Sequence, residues 1–204
     1  MSKIINTGKT VKVMFKPKSL GLSGGSLSAD YLPLQFHLHW GNLSSVPGSE
    51  HAVDGQRYPM EMHILSVKSI YSSNFSQATK DSEGLAVLGF FIEVDDDTVD
   101  QPESWRKLTS YLSKITEKGQ SVRNISGISL DDLIGGVDTT SYYRYLGSVT
   151  VPACHEIVVW TVFKEPIKVS KNLIDQFSTT VRVGNNCSEF ITNNYRTLQP
   201  LNGR

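Results

Sequence analysis

Apolar residues recur along this chain in two rhythms, and each rhythm predicts its own elements. In Gln35-Phe36-His37-Leu38-His39-Trp40-Gly41 the rhythm is two, so a strand there turns Phe36, Leu38 and Trp40 to one face and His37 and His39 to the other. The run 58–71 is rich in apolar and β-branched residues, among them Met60, Met62, Ile64, Leu65, Val67 and Ile70. It also reads as a strand, with Glu61 and His63 on a common face. Between the two runs, residues 42–57 carry Pro47, Gly48 and Gly55; such a turn-rich connection lets antiparallel strands bring the histidines together. In all, strands are expected over 11–15, 34–40, 60–67, 85–94, 148–150 and 156–163. The helical rhythm appears twice. Trp105, Leu108, Leu112 and Ile115 predict a helix over 102–118 that stops before Gly119, and Ser170 is placed to cap a short helix through Phe177 with Leu173, Ile174 and Phe177 inward.

Composition narrows the class without naming a function. The 204 residues are 39% hydrophobic and 20% charged with a formal net charge of zero, which fits a single domain over 1–204 with a substantial core. Such a charge balance gives no reason to expect nucleic acid or an anionic membrane as partner. No apolar stretch is long enough to cross a bilayer, residues 1–20 lack the apolar centre of a secretory signal, and no repeat or linker divides the chain.

The chemistry sits on the histidines. Three neutral imidazoles suffice to hold a catalytic zinc, and His37, His39 and His63 supply them. A metal-bound imidazole needs its other nitrogen fixed by an acceptor, a role open to Gln35 beside His37 and Glu61 beside His63. Taken alone, a His-x-His pair in a strand fits a packed core as well as a metal site.

Larger blocks decide between these readings. Residues 35–41, Ser49-Glu50-His51-Ala52-Val53-Asp54-Gly55, Glu61-Met62-His63 and Gly84-Leu85-Ala86-Val87-Leu88-Gly89 resemble the signature of the α-class carbonic anhydrases. So do residues 145–152, residues 160–166, Asn194-Tyr195-Arg196 and Gln199-Pro200-Leu201, in family order over nearly the whole chain. The resemblance implies a mainly β fold, a large twisted and mostly antiparallel sheet with peripheral helices and a conical cleft reaching zinc. It implies reversible hydration of carbon dioxide to bicarbonate by attack of zinc-bound hydroxide, sensitivity to sulfonamides, and a monomer. His37, His39 and His63 match the ligands one for one, with Gln35, Glu61 and Asn194 behind them. Thr150 matches the threonine that accepts from the nucleophile and donates to a buried carboxylate, here Glu50. Leu65, Val87, Val149, Val158 and Trp160 match the apolar substrate wall, and Val151 stands where several relatives have a threonine that contacts bicarbonate. The competing expectations are a non-catalytic carbonic-anhydrase-like binding or matrix module and an inactive fragment.

Several positions depart from the family pattern. The common proton-shuttle histidine falls at Lys9, and an ammonium with a reference pKa of about 10.4 is a poor relay at neutral pH. Met1 aligns inside the family domain and the C-terminus stops soon after Pro200, so segments at both ends are expected to be missing. The resemblance places the usual disulfide partner of Cys154 in the missing N-terminal part, leaving Cys187 as the other cysteine. With sequons at Asn42, Asn74, Asn124 and Asn186, this points to a secreted or extracellular parent. His51 matches a histidine that supports the loop near Glu50, and His155 reads as a surface or strand residue. The acidic run 95–97 with Asp100 reads as a solvated turn, since it lacks the spacing of a calcium loop.

Overall fold

A computed structural model describes residues 1–72, 74–95 and 102–200. Among the described residues eight strands form one sheet: β1 (Lys3–Asn6), β2 (Val11–Met14), β3 (Tyr31–Trp40), β4 (Met60–Lys68), β5 (Leu85–Val94), β6 (Ser121–Arg123), β7 (Tyr142–Gly147) and β8 (Val158–Val169). Their order is β6-β1-β2-β3-β4-β5-β8-β7. Every pairing is antiparallel except β5 with β8. That parallel pair needs a long crossover, which carries α2 (Glu103–Ser110), β6, α3 (Leu130–Leu133) and β7. The remaining helices are α1 (Phe75–Ala78) and α4 (Lys171–Thr180).

Register divides the sheet into two chemically distinct faces. One cross-strand row runs Lys12, His37, His63, Gly89 and Val162; the next runs Gln35, Leu65, Val87 and Trp160. His39 stands opposite Glu61 on the same side. The alternate residues Phe36, Ile64, Leu38, Met62 and Phe90 occupy the opposite face. There they join Trp40, Trp105, Leu108, Leu173, Ile174 and Phe177 in the main core, so α2 and α4 cover the side of the sheet away from the histidines. Trp40 packs its ring 5.4 Å from that of Phe177 and donates Nε1–H to the Ile191 carbonyl at 2.7 Å. Burying aromatic and aliphatic side chains of this size stabilises the fold by roughly 1.5–3 kcal/mol each.

The strands over 34–40, 60–67 and 85–94 form where expected, while the element over 156–163 begins at Val158 and continues to Val169. Residues 148–150 are a correction: the strand ends at Gly147 and an irregular loop follows. In that loop Val149 N–H bonds to the His155 carbonyl and Cys154 N–H to the Val151 carbonyl, and Pro152 has no donor to offer a ladder. The helix over 102–118 is also shorter than expected, ending at Ser110 and followed by a 3₁₀ turn at Leu112–Lys114. Thr109 and Ser110 turn their hydroxyls back onto carbonyls of the preceding turn, a competition that favours helix ends. Ser170 does occupy the N-cap position of α4, without a side-chain capping bond.

Tight backbone contact shapes the loop after β3. A Cβ on Gly48 would stand 1.9 Å from the Gly41 nitrogen, so only glycine lets the chain fold back against the end of β3 and deliver Glu50 to the site. Cys154 and Cys187 are free thiols. Among the described residues, no helix is long and apolar enough to cross a membrane. Asp96, Asp97, Asp100 and Leu201 lie outside the described residues.

Candidate metal centre

Strand geometry sets the three imidazoles close together, and their hydrogen bonds decide which nitrogens remain available. His37 and His63 stand directly opposite each other on β3 and β4, with His39 two residues along. Ring centroids are 5.0 Å apart for His37 and His39, 5.3 Å for His37 and His63, and 4.6 Å for His39 and His63. The Nδ1 of His37 meets the Gln35 Oε1 at 3.1 Å, the Nδ1 of His39 meets the Asn194 carbonyl at 2.8 Å, and the Nε2 of His63 meets the Glu61 carboxylate at 2.6 Å. Each partner is an acceptor, so each of these nitrogens carries the proton in the neutral ring. The lone pairs of His37 Nε2, His39 Nε2 and His63 Nδ1 are left for another partner.

Burial and charge keep His37 and His39 neutral. Desolvation pushes the pKa of His37 well below the ordinary histidine value, helped by the charges of His39, His63 and Lys12; desolvation and His63 lower that of His39, against the pull of Glu50. The His39 Nε2 is buried and has no hydrogen-bond partner, an arrangement costly for a polar atom unless something binds there. Ligand nitrogens of His37, His39 and His63 all lie within 4.8 Å of one another. Unprotonated, converging imidazole nitrogens with their far sides fixed are the donor set that a first-row divalent metal requires. The residues present therefore fit a metal ion.

A second cluster, His51, Glu61 and His63, also brings ligand atoms together, but its chemistry is different. Glu61 takes His51 Nδ1 at 2.6 Å on the oxygen that meets His63, and His51 N–H at 2.8 Å on the other. The Tyr145 hydroxyl lies 2.6 Å from His51 Nε2. These groups already satisfy one another. Burial alone would raise the pKa of Glu61, yet His51 and His63 together hold it well below the carboxylate range; burial alone would lower that of His51, yet Glu61 raises it. Gly89 completes the arrangement, because a Cβ there would come within 3.2 Å of Glu61 Oε1.

Glu50 reaches the site from the loop. Its Oε1 accepts from Arg196 N–H at 2.9 Å, while Oε2 is buried, without a hydrogen bond, 3.4 Å from His39 Nε2 and 3.9 Å from His63 Nδ1. Thr150 borders the same space but makes no hydrogen bond to Glu50 here. The cleft beside His37 and His63 encloses about 410 Å³ and is bordered by Leu65, Val87, Val149, Val151 and Trp160, with Lys9 at its rim. Val158 is fully buried on the face of β8 that carries Trp160, in one apolar cluster with Leu85, Val87 and Trp160.

Three contributors were not singled out by sequence reasoning. Tyr145 gave no signal beyond an aromatic in an irregular segment, and the Arg196 main chain could give none. Lys12 could have been found, because Val11, Val13 and Phe15 alternate inward on the expected strand and place Lys12 on the histidine face. His155 is exposed, as expected.

A large, mostly antiparallel sheet on which two buried imidazoles and one half-buried imidazole converge from two central strands defines a β-sheet class with an apolar cleft beside a group of histidines that could hold a metal ion. The sequence profile of the eukaryotic-type carbonic anhydrases matches residues 1–204. The chain is 38% identical over 200 residues to carbonic anhydrase 6 of Bos taurus, covering 98% of this chain and 60% of that protein. It is 34% identical over 204 residues to carbonic anhydrase 12 of Homo sapiens, with 98% and 55% covered, and 36% identical over 207 residues to carbonic anhydrase 3 of Bos taurus, with 98% and 75% covered. The chain belongs to the eukaryotic-type carbonic anhydrase family, and it spans only 55–60% of the length of the first two of these relatives.

Proposed function

We propose that this chain carries the zinc centre of a lyase that reversibly hydrates carbon dioxide to bicarbonate and a proton. The observation that carries the reading is the set of three imidazoles, two buried and one half-buried, whose outer nitrogens are all occupied by acceptors and whose inner nitrogens converge. A zinc ion bound there supplies a Lewis acid that lowers the pKa of a coordinated water to about 7, the value established for carbonic anhydrases themselves.

The chain's own residues do the rest. His37, His39 and His63 hold the ion, and Gln35, Glu61 and the Asn194 carbonyl fix their tautomers and orientation. Leu65, Val87, Val149 and Trp160 exclude water from the wall where an apolar substrate sits. Thr150 borders the cleft with a hydroxyl that accepts one hydrogen bond while donating another, and Glu50 Oε2 is the buried acceptor within the same site. Val151 offers a departing anion no hydroxyl. Lys9 at the rim replaces an imidazole relay, so protons leave chiefly to buffer.

All three ligands are in place, which argues against a non-catalytic module. The parent protein is assigned to an extracellular setting, supported by the exposure of all four sequon asparagines, Asn42, Asn74, Asn124 and Asn186. Loading the metal-free protein with zinc tests the central reading: one equivalent should bind and raise the melting temperature, whereas absence of zinc-dependent stabilisation would overturn it.

A further inference from the structure

The cleft beside His37 is charged in one sense only. Lys9 and Lys12 both border it, and among the described residues no aspartate or glutamate does. The chain as a whole has no net charge, so this local excess of two positive charges is a property of the site. The adjoining cavity over His39, which Lys9 also borders, is different, since Glu50 and Glu189 there balance Lys9 and Arg196.

Both lysines are placed by backbone structure. Lys12 stands on β2 directly opposite His37, and adjacent strands are about 4.8 Å apart. Its charge is among the causes that lower the pKa of His37, which places it electrostatically within the site. Lys9 sits in the turn from β1 to β2, where Asn194 Nδ2 donates to its carbonyl at 3.0 Å and the Thr7 hydroxyl accepts from its N–H at 3.3 Å. Asn194 is the residue whose own carbonyl meets His39, so one side chain ties the Lys9 turn to the metal position. Neither ammonium is paired with a carboxylate among the described residues. Facing them across the cleft are Leu65, Val87 and Trp160, which offer apolar contact without charge.

We propose that Lys9 and Lys12 form an anion-accepting subsite that takes the carboxylate of an aromatic ligand whose other end reaches the metal and whose ring lies on the Val87 and Trp160 wall. This inference rests on the metal reading above. An ammonium pair in a half-enclosed cleft favours a carboxylate over a neutral group of the same shape, and salt weakens that preference because both lysines keep solvent contact.

The test compares two probes of equal shape, 4-carboxybenzenesulfonamide and 4-carbamoylbenzenesulfonamide, by calorimetric titration of the zinc-loaded chain. At about 20 mM salt the carboxylate should bind roughly three- to tenfold more tightly than the amide, and at about 1 M salt the ratio should fall toward one. In the double variant Lys9→Gln with Lys12→Gln, the ratio should fall toward one at low salt, while the amide probe keeps its affinity and thereby reports an intact fold. Equal binding of the two probes to the parent chain at low salt overturns the subsite and leaves the metal reading standing. Failure of both probes to bind the zinc-loaded chain overturns the metal reading and the subsite with it.

Discussion

Replacing Glu61 by glutamine keeps the shape of a fully buried side chain and removes its charge, which makes it a demanding test of how the site is held. One carboxylate oxygen accepts from His63 Nε2 and His51 Nδ1, both at 2.6 Å, and the other accepts from the His51 main-chain N–H at 2.8 Å. An amide has a single acceptor end. If its oxygen faces the two imidazoles, the NH₂ group confronts the His51 N–H, donor against donor. If it faces the His51 N–H, the NH₂ group points at both imidazoles and drives the His63 proton onto Nδ1, the nitrogen aimed at the metal. Either arrangement leaves a buried donor unsatisfied, at a cost of about 1–3 kcal/mol. For a chain of this length that lowers the melting temperature by roughly 2–12 °C. Zinc affinity should fall about 10- to 100-fold, the range for loss of a carboxylate behind a metal-bound histidine. Chelator competition gives the affinity and calorimetry gives the melting temperature. A Glu61→Gln protein with zinc affinity within twofold of the parent would refute the claim that this carboxylate sets the tautomer of His63.

Other perturbations separate the parts of the account. His37 and His39 have pKa values below their unfolded value, so the unfolded chain binds more protons between the folded pKa and about 6.5; metal-free stability is therefore full above that pH and should decline on acidification, by up to roughly 1.4 kcal/mol per pH unit for each histidine. His51, whose pKa is raised, acts in the opposite sense, so thermal melts from pH 8 to pH 5 are compared between metal-free protein and a metal-free His37→Gln, His39→Gln variant that keeps His51; identical profiles for the two count against neutral rings at His37 and His39. Lys9→His should raise turnover at low buffer concentration by about tenfold or more and reduce the stimulation by added imidazole; parent turnover that ignores buffer concentration would show that proton export is not limiting. Trp105→Ala, far from the histidines, removes a fully buried indole whose Nε1–H bonds to the Leu133 carbonyl at 3.0 Å. It should cost about 3–5 kcal/mol in denaturant unfolding while leaving zinc affinity unchanged.

The parts of the molecule written in a strict period were legible in the sequence. Alternation in β3 and β4 placed His37, His39 and His63 on one face because strand geometry leaves a side chain only two directions, and Gln35 and Glu61 followed at the same spacing. β1 was missed because buried Asn6 interrupts its pattern, β6 because three residues hold a single apolar side chain, and β7 because Tyr142-Tyr143-Arg144-Tyr145 shows no alternation. Residues 148–150 read as a strand because Val149 and Thr150 are β-branched, yet Val149 N–H bonds to the His155 carbonyl in a loop that only tertiary structure reveals. Val158 shares its face of β8 with Trp160, as the two-residue spacing implies, and its full burial beside Leu85 is a matter of packing that the spacing does not reveal. The hydrogen bond from His39 to the Asn194 carbonyl joins residues 155 positions apart through a main-chain atom, and a side-chain pattern carries no trace of such a contact.

Stopped-flow measurement of carbon dioxide hydration on protein of known zinc content, with and without an aromatic sulfonamide, tests the central claim most directly. The account predicts activity proportional to bound zinc and abolished by the sulfonamide. Full zinc occupancy with no hydration above the buffer rate would contradict it.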